Sequence, residues 1–393
     1  MSNDLSSRVI AAVRRVVPAG EEAALHEPEF RGREWDYVKS CLDEGWVSSA
    51  GSFVTRFEDE IAKVTGRRFG LACVNGTAAL HLALMLAEVR QGDEVLVPAL
   101  TFVATANAVH HCGATPHFVD CEYLTLGMCP DALAAYLGQV ATRGSDGVCI
   151  NKKTGRPIRA MVPVHIFGHP ARMPELCALA GRYGLAVVED ATESLGSTSD
   201  GRPVGRHGLI GVLSFNGNKI VTTGGGGALV MDDAELAGRA RHVGTTAKLP
   251  HAWAFLHDEV GYNYRLPNIN AALGCAQLER LPDFVARKRR LAKAYEQAFE
   301  EVPEVKCFRE RPGTASNYWL NAIVLAPEYA ASRDALLEEL NKDGLHCRPA
   351  WQPMHLLPFQ RDCPRAPLPQ TEDIVARLIN LPSSARLGDR LSQ

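Results

Sequence analysis

The chain has 393 residues, 46% of them apolar and 22% charged, enough to bury a sizeable core in one large and one smaller domain. A net charge of -3, with no long basic run or basic amphipathic helix, argues against nucleic acid as a partner and points to a small molecule. No apolar run reaches the about 18 residues of a membrane span, and 11 scattered cysteines without a C-x-x-C pair argue against a disulfide framework or thiolate zinc site. A reducing cytoplasm and no metal are the expectation.

In chain order, MSNDLSSRVIAAVRRVV carries arginines inside its apolar pattern and no cleavage-like segment follows, so it reads as a leading helix. From about residue 70 to residue 232, short Val- and Ile-rich runs alternate with helix-like segments, the pattern of a mostly parallel sheet covered by helices. The predicted strands are EVLVP at Glu94, TPHFVD at Thr115, RAMVPV at Arg159, LAVVED at Leu185, GVLSF at Gly211 and GALVMD at Gly227. Helices are predicted in TAALHLALMLAEV after Gly76, FVATANAVHHCG after Thr101 and MPELCALAGRYG ending at Gly184, the last two closed by glycine. The stretch LPHAWAFLHDEVGYNYR has no clear periodicity and reads as a long loop. After Asn263 a helical pair, the segment NYWLNAIVL, the helix SRDALLEELNKDG and the strand-like LHCRPAW suggest a second, α+β domain. The expected division is residues 1–265, with the leading helix and a cofactor-binding domain, and residues 266–393.

Several chemistries lack their motif. Lys219 follows Asn218 rather than glycine, so there is no G-x-x-x-x-G-K-[ST] phosphate loop, and no strand runs into G-x-G-x-x-G. G-x-S-x-G and H-E-x-x-H are also missing.

Three features remain. At VNGTAAL a small-residue turn opens a helix, so free amides and the Thr77 hydroxyl suit a phosphate; Asn-Gly-Thr is equally an ordinary turn and cap. At LAVVEDATESLG an apolar strand delivers Glu189 and Asp190 to its C-terminal end, where ligands of open α/β sheets bind; a carboxylate there also serves as a helix cap. Lys219 lies five residues past Ser214, just before the glycines at 224 to 227, although a lone lysine is usually a solvated group. Together these are the needs of pyridoxal phosphate: an anion site, an anionic partner for the pyridine nitrogen, and an amine for a Schiff base. Burial and nearby positive charge would lower the amine's pKa, and the glycine run lets backbone pass close to the site.

The chain resembles the sugar-nucleotide aminotransferases of the DegT/DnrJ/EryC1/StrS family, through VNGTAALHLAL, VPALTFVATANAV, VPVHIFG, VVEDATESLG, SFNGNKIVTTGGGG and GYNYRLPNINAALGCAQLE in that order. The resemblance implies the type I, aspartate aminotransferase-like α/β fold and a pyridoxal 5'-phosphate enzyme. It makes Lys219 the Schiff-base lysine and proton carrier, and Asp190 the partner of the pyridinium nitrogen. Glu193 would lie beside the ring, where many relatives carry Gln or His, and Phe102 would stack on it unless it simply packs at its helix start. Gly76, Thr77 and Ser214 would hold the phosphate, joined by Asn263 from the other subunit of a homodimer.

Within the family, LHEPEF, GWVSSAG, NKKTGRPIRAMVPVHIFG and Glu193 resemble most the branch that makes 4-amino sugars on UDP, of the N-acetylbacillosamine and legionaminic acid pathways. GDP-perosamine synthases share the G-N-K-x-x-T-T-G core, so that core does not choose between them. The expected reaction is amination by L-glutamate of UDP-2-acetamido-2,6-dideoxy-4-ulose at C4, with the loop near Trp253 excluding water. His165, Arg265 and Trp351 are candidates for sugar or diphosphate contacts. Their alternatives are a satisfied strand-end histidine, a dimer salt bridge and a small-domain core residue. Lysine at 219 argues against a dehydratase of this fold, which carries histidine there, and the N-terminal segment is too short for the helix-turn-helix of a regulator.

Overall fold

The computed structural model describes residues 2–144 and 147–391. Its large sheet holds seven strands in a continuous path: β1 Phe69–Cys73, β2 Glu94–Pro98, β3 Thr115–Val119, β4 Pro157–Met161, β5 Ala186–Asp190, β6 Ile210–Ser214 and β7 Gly227–Met231. Their order is β1-β7-β6-β5-β4-β2-β3, with the short strands Ala141–Arg143 and Cys149–Asn151 attached beside β4. β3, β2, β4, β5 and β6 run parallel, and β7 is antiparallel to both neighbours. The central strands are buried along nearly their whole length, which is why they read as unbroken apolar runs rather than as alternating ones.

All six strands expected from the sequence are present, with RAMVPV shifted to Pro157–Met161 and prolonged only by a bridge from Val164 to Asp190. The long loop contains a two-stranded hairpin, Lys248–Leu249 against Leu256–His257, whose side chains stand exposed and so follow no core periodicity.

The C-terminal region builds an antiparallel sheet of Val305–Cys307, Asn321–Leu325, Leu378–Leu381 and Arg348–Pro349. Two segments pack across the division expected at residue 265. Helix Ser2–Arg14 buries Leu5, Val9 and Val13 against Leu291, Tyr295 and Ile323 of the C-terminal body. Helix Asn268–Glu279 buries Ala271, Cys275 and Leu278 with Phe57 and Leu213 against the large sheet. Among the described residues no helix is long and apolar enough to cross a membrane, and all eleven cysteines are free thiols.

Register positions the site. Gly227 of β7 pairs with Cys73 on one side and Ser214 on the other, and Val212 pairs with Asp190. The ends of β1, β6 and β5 therefore meet at one edge of the sheet.

Candidate active site

A cavity of about 290 Å³ opens at that edge. Its floor at one end is the start of helix Gly76–Leu86. The Asn75 side chain caps this helix by accepting from the Ala78 amide at 2.7 Å. Gly76 and Thr77 line the cavity in the first turn, where amides have no intrahelical partner and the dipole favours an anion. Close packing leaves little room for a side chain at the glycines here, least at Gly227. A Cβ on Gly76 would sit 3.1 Å from the Ser214 hydroxyl, and one on Gly227 would sit 2.4 Å from the Asn75 carbonyl. Only the last of the four glycines thus touches this turn; Gly224 is used for its left-handed φ of 79°, and Gly225 faces open space.

Alternation along β5 separates the two neighbouring carboxylates. Asp190, 1% exposed, lines the cavity, accepting from the Thr105 hydroxyl at 2.9 Å and the Thr192 amide at 3.2 Å. Glu189 turns to the other side, where it accepts from His165 and from the amides of Gly205 and His207 at 2.7 and 2.8 Å. Burial opposes its charge, but these donors outweigh it and hold the carboxyl at about 2.

Lys219 follows the tight turn that leaves β6, its amide donating to the Asn216 carbonyl at 2.9 Å. Its Nζ lies 3.7 Å from Glu193 Oε1 and 3.7 Å from the centre of the Trp319 ring. Burial raises the Glu193 carboxyl to about 7 and lowers the Lys219 amine from its ordinary value; the remaining attraction between them acts the other way on each. Both groups are pushed toward their neutral forms. The other Glu193 oxygen accepts from the Phe167 amide at 2.8 Å, a residue in the left-handed region at φ 55°.

Of the residues expected from the sequence, Gly76, Thr77, Phe102, Asp190, Glu193, Ser214, Lys219 and Trp351 meet in this cavity. Phe102 is half exposed and 6.1 Å from the Trp351 ring. Trp351 also packs against Phe167 at 5.0 Å, combining a core contact with a cavity face.

His165 does not reach the cavity, which corrects its reading as a sugar contact. It is fully buried, its Nδ1 accepts from the Ala171 amide at 2.9 Å, and its Nε2 therefore donates to Glu189 at 2.8 Å. Arg265 also lies outside this chain's cavity, 3.4 Å from Glu58 of the same chain. Asn263 lies exposed beyond this chain's cavity, bridged to Thr245. Trp319 and Thr105 escaped sequence reasoning. NYWL carries no spacing that ties it to a lysine a hundred residues earlier in the chain, and Thr105 has only the signal of a hydroxyl one turn into the helix after Phe102.

A family model described as the DegT/DnrJ/EryC1/StrS aminotransferase family matches residues 28–391. The chain belongs to this family. It is 36% identical over 366 residues to the GDP-perosamine synthase of Escherichia coli O157:H7, covering 93% of this chain and 94% of that one. It is 37% identical to the putative pyridoxal phosphate-dependent aminotransferase EpsN of Bacillus subtilis, covering 85% and 83%. Among solved structures it is similar to a DegT DnrJ EryC1 StrS aminotransferase from Brucella abortus, with a TM-score of 0.81, 30% identity and 90% of each chain covered. Membership establishes a pyridoxal phosphate-dependent sugar aminotransferase with the α/β fold expected from the sequence. The cavity fits that cofactor: an anion-binding turn, a buried carboxylate and a buried amine face one space.

Proposed function

We propose that the protein transfers an amino group from L-glutamate to C4 of a nucleotide-linked 4-keto-6-deoxy sugar, and that Lys219 carries the cofactor. The observation that supports this most is Lys219, Glu193, Asp190 and the Gly76 turn around one cavity. When bound, pyridoxal phosphate would supply the electron sink that makes the C–H bond beside the transferred nitrogen acidic enough for a proton to be moved. The chain does the rest. Gly76, Thr77 and Ser214 bind the phosphate through first-turn amides and hydroxyls. Asp190, oriented by Thr105, keeps a proton on the ring nitrogen. Lys219, favoured as a neutral amine by burial, takes and returns the proton at the reacting carbons, and Glu193 sets its charge. Phe102 offers a ring face to stack on, and Trp351 closes the cavity beside it.

Asn263 is exposed on the segment that follows the exposed hairpin, and this exposure supports its completing the site of a second copy in a homodimer. The hairpin's exposed Trp253 and Phe255 suit the same contact, with the loop excluding water.

The names of the curated relatives support a GDP-linked acceptor, whereas LHEPEF, GWVSSAG and Glu193 support the UDP-linked one. Incubating the enzyme and L-glutamate with each 4-ketosugar separately, and following 2-oxoglutarate, tests both. Turnover of either supports C4 amination and names the nucleotide; turnover of neither, with active cofactor-loaded protein, refutes the proposal.

A further inference from the structure

The segment 316–320 comes from the C-terminal body but is bolted to the lysine turn. Trp319, 4% exposed, donates its indole N–H to the Asn218 carbonyl at 2.7 Å, the residue just before Lys219. Its ring face receives the Lys219 ammonium at 3.7 Å. Its own amide donates to Asn317 Oδ1 at 2.8 Å, and Asn317 Nδ2 donates to the Glu193 carbonyl at 3.0 Å. The buried Lys288 Nζ donates to the Trp319 carbonyl at 3.1 Å. One indole therefore holds the turn beneath the lysine and offers its π face to the lysine's charge.

We infer that Trp319 is a positioning residue that presents the Lys219 amine to the cofactor and biases it toward its charged form. This rests on the reading of Lys219 as the cofactor-binding amine. A cation over an indole face in a desolvated site is held by the ring quadrupole, and the neutral amine is not. Two carboxylates also act on Lys219. Glu193 at 3.7 Å and Asp190 favour its charge, and nearby His26, whose protonation is disfavoured first by burial and then by Lys288 and Lys219, stays neutral and adds no charge. The ring acts alongside the two carboxylates and against desolvation. The network also couples the two bodies of the fold, because the same residue joins the C-terminal sheet to the lysine turn.

The test replaces Trp319 site-specifically with mono- and difluorotryptophan, which weaken the ring's negative face while keeping its shape and N–H. The cofactor-free protein is mixed with pyridoxal phosphate from pH 6 to pH 10. The visible band that forms when the amine captures the aldehyde, with loss of water, is then timed. Capture needs the neutral amine, so weakening the face should move the rate profile to lower pH, by about half a unit to one unit for complete loss of the interaction. Capture below the midpoint then becomes faster by up to roughly tenfold, in order of fluorination. The cofactor's own titrations are common to every sample and cancel in the comparison. Profiles that superimpose across the series would overturn the inference. Trp319→Leu, which also empties a buried site, should show the same direction of shift with a lower yield of captured cofactor. Lys219→Ala separates the two readings: a band of normal yield in that variant would sink the assignment of Lys219 itself.

Discussion

Glu193 provides a perturbation whose size can be worked from the structure. Its carboxyl is 4% exposed, and burial raises it from the ordinary 4.5 to about 7. Because the folded state prefers the protonated acid, this group's contribution to stability is complete below about pH 4.5 and is lost as pH rises through 7. The difference amounts to about 3 kcal/mol of folding stability. Glu193→Gln keeps the amide-accepting oxygen that holds Phe167 and removes the titration. Urea unfolding of the cofactor-free protein at pH 5 and pH 8 reads the effect. Relative to wild type, Glu193→Gln should gain stability between those two values, by up to about 3 kcal/mol. The gain should grow in a Lys219→Met background, because the ammonium that eases the buried carboxylate's charge is gone. Equal pH dependence in wild type and Glu193→Gln would refute the reasoning.

Gly227→Ala should weaken cofactor binding roughly 5- to 150-fold while leaving the chain folded, since its Cβ presses on the Asn75 carbonyl at 2.4 Å and displaces the phosphate turn; fluorescence titration with pyridoxal phosphate measures it. Glu189→Gln should destabilise the protein by up to about 3 kcal/mol at pH 7 without abolishing cofactor capture, because Glu189 serves His165 and the 205–207 backbone rather than the cavity. Its carboxyl is depressed to about 2, so the stabilisation is present above about pH 4.5 and fades in acid, where the two proteins should converge. Mixing inactive Lys219→Ala with an Asn263→Ala variant should restore activity if each site takes Asn263 from the partner; no gain on mixing subunits shown to exchange would reject the shared site.

The parallel sheet was legible because its strands are buried on both faces, so each left a continuous apolar run bounded by polar turns. Lys219, Asp190 and the Gly76 turn were legible as a set, since each sits at the end of an element that could be read locally. β1 was missed: FGLAC is short, holds a glycine and follows two arginines, and its identity as a strand comes from pairing with β7. The sequence alone offered Glu189 and Asp190 side by side; the face each takes is fixed by strand pleat, and the partners of Glu189 come from residues 165 and 205–207. His165 failed as a sugar contact for the same reason. Its motif is shared with family members, but both ring nitrogens are already engaged within the protein. Trp319 was invisible because its partner, the lysine turn, is distant in sequence and joined only by packing between the two bodies. The hairpin at 248–257 escaped because its apolar side chains face solvent in one chain.

The central claim is that Lys219 is the amine that carries the cofactor. Borohydride reduction of the pyridoxal phosphate-loaded enzyme, followed by peptide mapping, tests it most directly. The expected result is a single stable adduct on the peptide containing Lys219 and none in Lys219→Ala; an adduct on any other lysine of the wild-type enzyme, with Lys219 unmodified, would contradict it.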